Sequence, residues 1–142
     1  MYIELLKQVA AKIESSKLQP AATENEVRNA EEMLNILFPN ELKELLFETN
    51  GDNLFLLSLD QIVKDNLDFR SINPEIIEPE LFNFSEFLFF ATNGCGDYYG
   101  YKIDNNTIPS TSIYIFEHEE YTSKIVAGDI GELIELYYQD KI

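Results

Sequence analysis

The run Asn93-Gly94-Cys95-Gly96-Asp97-Tyr98-Tyr99-Gly100-Tyr101 constrains the fold more than any other stretch of this chain. Two closely spaced glycines give the backbone cheap access to left-handed conformations, so the segment reads as a turn. An apolar run, Phe87 to Thr92, precedes it, and a tyrosine-rich segment, Tyr98 to Ile103, follows. Both read as strands, and so short a connection between strands requires antiparallel pairing. Asp104-Asn105-Asn106 is a second turn signal, leading to a third strand from Ser112 to Glu117.

Helices lie on either side of this sheet. Leu6, Val9, Ala10 and Ile13 recur at helical spacing between Tyr2 and Ser15. Thr23-x-x-Glu26 is a capping box opening a second helix, with Val27, Ala30, Leu34 and Leu37 on one stripe. Pro39 suits the first turn of a third helix, whose Leu42, Leu45 and Leu46 face inward and which Asn50-Gly51 can stop. A short strand from Leu54 to Leu57 follows, and Ser58-x-x-Gln61 caps a brief helical turn ending near Asn66. Pro74 and Pro79, set among Glu75, Glu78 and Glu80, mark an acidic surface loop. Asp129-x-x-Glu132 caps a last helix with Ile130, Leu133, Ile134, Tyr137 and Tyr138 along its apolar stripe. Helices, then strands, then one helix imply an α+β fold: an antiparallel sheet flanked by N-terminal helices and a C-terminal helix. The 142 residues fit one domain, 1–142.

Charge narrows the function classes. Twenty-six acids against ten bases give a formal net charge of −16. Sixteen of the acids lie between Glu41 and Glu120, opposed there only by Lys43, Lys64, Arg70 and Lys102. Such a field repels nucleic acid and anionic lipid, and it favours a basic partner. Ser71 to Tyr101 contains no basic residue at all, which argues against nucleic-acid binding. One cysteine, Cys95, cannot form an internal disulfide, no secretion signal is evident, and no apolar run reaches membrane-span length. A cytoplasmic location and no membrane association are therefore expected.

Several residue arrangements bear on chemistry. Gly94-x-Gly96-x-x-x-Gly100 misses the dinucleotide spacing, lacks a phosphate-loop lysine and leads into a strand rather than a helix. Cys95, His118 and Asp97 have the residue types of a thiol nucleophile, base and orienter, which would require thiol–imidazole contact. Glu117-His118-Glu119-Glu120 lacks the second histidine of a metalloprotease helix, and no paired ligand spacing suggests zinc. No catalytic, cofactor or metal residue is expected. The tyrosines invite a different reading, because tyrosine combines a large rigid contact area with a polar tip. On a strand, Tyr99 and Tyr101 share one face, and Tyr98 and Gly100 take the other.

Phe38-Pro39, Asn50-Gly51, the Asn93 to Tyr101 run and Glu117-His118-Glu119, in that order, resemble the SUKH superfamily from about Pro20 to Tyr138. That superfamily is named in part for a yeast cell-wall synthesis regulator and is best known for bacterial toxin-immunity proteins. In it, the segment matching Asp97 and Tyr99 belongs to the most characteristic motif. The resemblance implies the same α+β arrangement and a binding protein rather than an enzyme. The expectation is an immunity protein, a monomer or weak homodimer, that neutralises a cognate protein toxin with a basic surface, such as a nuclease. The alternative is an intracellular regulatory adaptor of the cell-wall regulator type. The expected contact residues are Asp97, Tyr98, Tyr99, Tyr101, Glu117, His118, Glu119 and Glu120.

Overall fold

Local capping chemistry sets most helix starts. In the computed structural model, which describes residues 1–10, 18–72 and 81–142, Thr23 Oγ1 accepts the Glu26 backbone N–H at 3.2 Å. The Glu26 carboxylate accepts the Thr23 N–H in return at 3.0 Å. This capping box opens α2 (Glu24–Leu34), which buries Val27, Ala30 and Leu34. The helix ends at Asn35 in a left-handed conformation (φ 54°), so its phase never reaches Leu37. Leu37 is exposed, contrary to the expected stripe, and Ile36 and Phe38 are buried beside it instead.

α1 (Tyr2–Ala10) precedes this, and its expected continuation to Ser15 lies outside the described residues. α3 (Asn40–Glu48) buries Leu42, Leu45 and Leu46 as expected, with Pro39 at the N-cap, one position earlier than the first turn. Asn50-Gly51 does not end it. Thr49 already leaves the helix in an extended conformation, its hydroxyl within hydrogen-bond distance of the Gln19 and Gly51 carbonyls, and only Gly51 of the pair has positive φ (89°). Ser58 caps α4 (Leu59–Arg70), which runs a full turn past the expected end at Asn66. The Pro74 and Pro79 loop lies outside the described residues.

Four strands follow: β1 (Phe87–Thr92), β2 (Tyr98–Lys102), β3 (Ile113–Glu117) and β4 (Thr122–Ala127), then α5 (Ile130–Tyr138) capped by Asp129. They form one antiparallel sheet in sequential order, so the fold is α+β. The second turn signal behaves as read: Asn105 and Asn106 both have positive φ inside the Asp104–Thr107 bridge. β4 was not anticipated. As an edge strand with Thr122, Ser123, Lys124 and Ile125 exposed, it lacks the apolar alternation that marks a half-buried strand. The expected strand from Leu54 to Leu57 is reduced to a single bridge, Leu56 to Ala91.

Both sheet faces are covered. On one, Leu88, Phe90, Tyr99, Tyr101, Ile113 and Ile115 join buried side chains of the helices in the main core. On the other, Phe87, Phe89 and Phe116 pack with Phe82 and Phe84, and with Phe69 of α4, in a second, aromatic core. A register shift between Phe89 and Ala91 directs both Phe90 and Ala91 into the main core. Gly100 sits where a Cβ would run into the Leu88 backbone, so close strand approach excludes a side chain there.

The outer edge of β1 is closed by other means. The Leu57 N–H donates to Phe90 O (3.0 Å), the Thr92 N–H donates to Phe55 O (2.9 Å), and the buried Asn66 amide both donates to and accepts from the Phe89 backbone. Arg70 adds a bond to Phe87 O at 3.1 Å. These contacts explain why α4 extends: its last turn is held by the strand it borders.

Candidate protein-binding site

Antiparallel order brings the β1–β2 and β3–β4 turns to the same end of the sheet, and their side chains meet there. The β1–β2 turn is held by its own polar residues. Asn93 Oδ1 accepts the Cys95 N–H (2.9 Å), and Thr92 Oγ1 accepts the Gly94 N–H (3.1 Å) while donating to Asp97 O (2.8 Å). Gly94 and Gly96 take positive φ (79° and 101°). At Gly96 a Cβ would lie 2.9 Å from the His118 ring, so glycine here serves packing as well as conformation.

Asp97 ties the two turns together. One carboxylate oxygen accepts the His118 backbone N–H at 3.0 Å and the His118 imidazole Nδ1 at 2.6 Å, and the other accepts the Asn93 amide at 3.1 Å. An ionised carboxylate only accepts, so Nδ1 carries a proton in this contact. Partial burial works against the charge on Asp97. The His118 N–H, its ring and the Asn93 amide outweigh that and hold the carboxyl below its usual range.

Around this pair lies a cleft of about 320 Å³, lined by Cys95, Asp97, Glu117, His118, Glu119 and Glu120. Glu119 and Glu120 are exposed, and Glu117 pairs with Lys124 at 3.4 Å. Cys95 is a free, exposed thiol, and His118 Nδ1 is turned to Asp97 rather than to that thiol. Among the described residues no group of His, Cys, Asp and Glu is arranged to hold a metal ion, and no helix is long and apolar enough to cross a membrane.

The tyrosines divide between core and rim. Tyr98 is half-buried, and its hydroxyl donates to Asp65 Oδ2 at 2.9 Å while its ring packs edge-on to Phe69. Tyr99 and Tyr101 are fully buried, which corrects the expectation that they meet a partner: a 0 % exposed side chain has no surface to offer. Tyr99 packs edge-on to Phe55, and Tyr101 stacks on Phe90. Among the described residues neither hydroxyl meets strict hydrogen-bond geometry, and the Glu41 carboxylate lies close to that of Tyr101. Burial pushes the Tyr99 hydroxyl up to about 12, and burial followed by Glu41 raises Tyr101 further. Of the residues expected to meet a partner, Asp97, Tyr98, Glu117, His118, Glu119 and Glu120 keep some exposure.

The model of the SMI1 / KNR4 family (SUKH-1) matches residues 21–136. The chain belongs to the SUKH-1 family. No curated protein matches it in direct comparison. The SUKH-1 match runs from α2 into α5 and takes in the sheet, the aromatic core and the whole Asp97–His118 site; it leaves out α1, whose Tyr2 and Leu6 belong to the main core. SUKH proteins include immunity proteins and cell-wall regulator-like members, act through protein–protein interaction and are generally non-enzymatic.

Sequence reasoning missed Asp65, Gln61 and Asn66, the polar residues of this SUKH-1 chain that stand behind Tyr98 and β1. Asp65 and Asn66 are buried, and Gln61 reaches Asp65 at 2.6 Å. The one available signal was the i, i+4 spacing of Gln61 and Asp65. It is informative only if the helix continues past Asn66, which depends on tertiary contacts.

Proposed function

We propose that this SUKH-1 protein is a cytoplasmic immunity protein that binds a cognate protein toxin stoichiometrically and blocks it. The observation that carries this reading is the clustering of Asp97, Glu117, Glu119 and Glu120 around one cleft at the sheet end, within a chain of net charge −16. A basic toxin surface is its electrostatic complement. If the toxin is a nuclease, its substrate cleft must be positive to hold phosphates, and these carboxylates compete for the same ground. Steering by opposite charge raises association rates toward 10⁸–10⁹ M⁻¹s⁻¹ at low salt, roughly a hundredfold or more above neutral partners. Tyr98 and His118 supply rigid contact area among the acids.

The test is capture of the tagged protein's partner from its native cells at low and moderate salt, followed by expression of that partner alone and together with this chain. One stoichiometric basic protein, toxic alone and harmless in co-expression, is the expected result. A set of non-toxic partners would replace the immunity reading with the regulatory adaptor.

A further inference from the structure

A second cavity, of about 340 Å³, is lined in part by Tyr98. Its lining includes Asn53, Leu54, Leu57, Gln61, Asp65 and Tyr98. Asp65 is only 9 % exposed, an uncommon setting for a carboxylate without a cation. Its two oxygens accept one bond each, from Gln61 Nε2 (2.6 Å) and the Tyr98 hydroxyl (2.9 Å). A carboxylate offers about four acceptor sites, so roughly two remain. Both donors are neutral. Among the described residues no Lys, Arg or His pairs with Asp65, and neighbouring Lys64 is turned to Asp68 at 2.8 Å.

We infer that this cavity receives one arginine side chain of the protein partner, whose guanidinium meets Asp65. The leucines on the wall suit the methylene stem of a long basic side chain, which is apolar up to its charged head. A planar guanidinium can present one N–H to each carboxylate oxygen while its remaining donors face the polar rim at Asn53 and Gln61. The ammonium of lysine is a point donor and is more strongly hydrated, so it fits a partly buried, two-oxygen acceptor less well. Tyr98 on its wall directly follows Asp97 of the acidic cleft in the chain. This inference rests on the protein-binding reading above and names the residue by which such a partner anchors.

The experiment is an NMR titration of the full chain with N-acetyl-arginine amide, with the lysine amide and the uncharged citrulline amide as controls. Saturable shifts at Leu57, Gln61 and Tyr98 are expected from the arginine compound, with a dissociation constant on the order of 1 mM. Binding should weaken at least tenfold for citrulline, for lysine and in Asp65→Asn. Because Asp65→Asn could disturb the fold, Leu54→Trp provides a second variant that fills the cavity and leaves Asp65 in place, with the same tenfold loss expected. Equal binding of lysine or citrulline, unchanged binding in a folded variant, no saturable shift, or shifts confined to residues 117–120 would each overturn the assignment. Such a failure leaves the toxin-binding reading standing. Conversely, capture of non-toxic partners would remove immunity without altering this titration.

Discussion

Replacing Asp97 by alanine removes three hydrogen bonds at once and unties the two turns that form the acidic cleft. Bonds to an ionised acceptor contribute about 1.5–3 kcal/mol when shielded and nearer 0.5 kcal/mol when solvated. The Asp97 side chain is 21 % exposed and the His118 side chain 43 %, so the ring contact belongs at the low end and the backbone contact at the middle. Deletion also recovers the cost of partly burying the carboxylate, leaving a net loss of about 2 kcal/mol at pH 7. With a urea dependence of about 2 kcal/mol/M, the midpoint should fall by about 1 M, and Asp97→Asn, which keeps one acceptor oxygen, should lose about half as much. The pH dependence has a definite sign. A carboxylate whose folded pKa lies below its unfolded value of about 3.9 stabilises the fold above that value and loses the contribution as pH falls through the folded pKa. The gap between wild type and Asp97→Ala should therefore close as the pH is lowered below about 4. A midpoint change under about 0.2 M at pH 7, or a gap that widens toward acid, would refute the account of this contact.

Tyr101→Phe removes a buried hydroxyl that meets strict hydrogen-bond geometry with none of the described residues, and urea unfolding should show it neutral to about 1 kcal/mol more stable. A loss above about 1 kcal/mol would mean that the hydroxyl bonds Glu41 after all. Partner capture should be unchanged in this variant, because the side chain is not at the surface. Gly100→Ala forces a Cβ against the Leu88 backbone and should cost at least about 2 kcal/mol by the same assay, with a wild-type midpoint contradicting the strand spacing.

What could be read from the sequence follows from how local each determinant is. Thr23, Ser58 and Asp129 cap the helices they were expected to start, because a cap is settled within four residues. The Asn93–Asp97 turn and strands β1 to β3 were legible through glycine placement and apolar runs, and the alternation of Tyr98 against Tyr99 and Tyr101 matches the two cores. Periodicity could not say which face was buried. Tyr99 and Tyr101 went to the larger core because the terminal helices cover that face, a tertiary fact. α4 outruns its expected end because Phe69 packs in the aromatic core and Arg70 reaches the Leu34 and Phe87 carbonyls. β4 carried only weak signs, the β-branched Thr122, Ile125 and Val126, and an exposed edge suppresses the pattern that makes strands visible. Within the site, Asp97 and His118 were both named in advance, but their contact joins residues 21 apart and needed the sheet register to appear.

The central claim, that this protein neutralises a toxin through the acidic end of its sheet, is tested most directly by measuring capture of the native partner with Glu117, Glu119 and Glu120 all changed to Gln. The three changes reduce the local charge by three while keeping side-chain size. Wild type should retain one basic, stoichiometric partner that is toxic when expressed alone, and the triple variant, still folded, should retain it at least tenfold less tightly and fail to protect co-expressing cells. Undiminished capture and protection by the triple variant would contradict the claim.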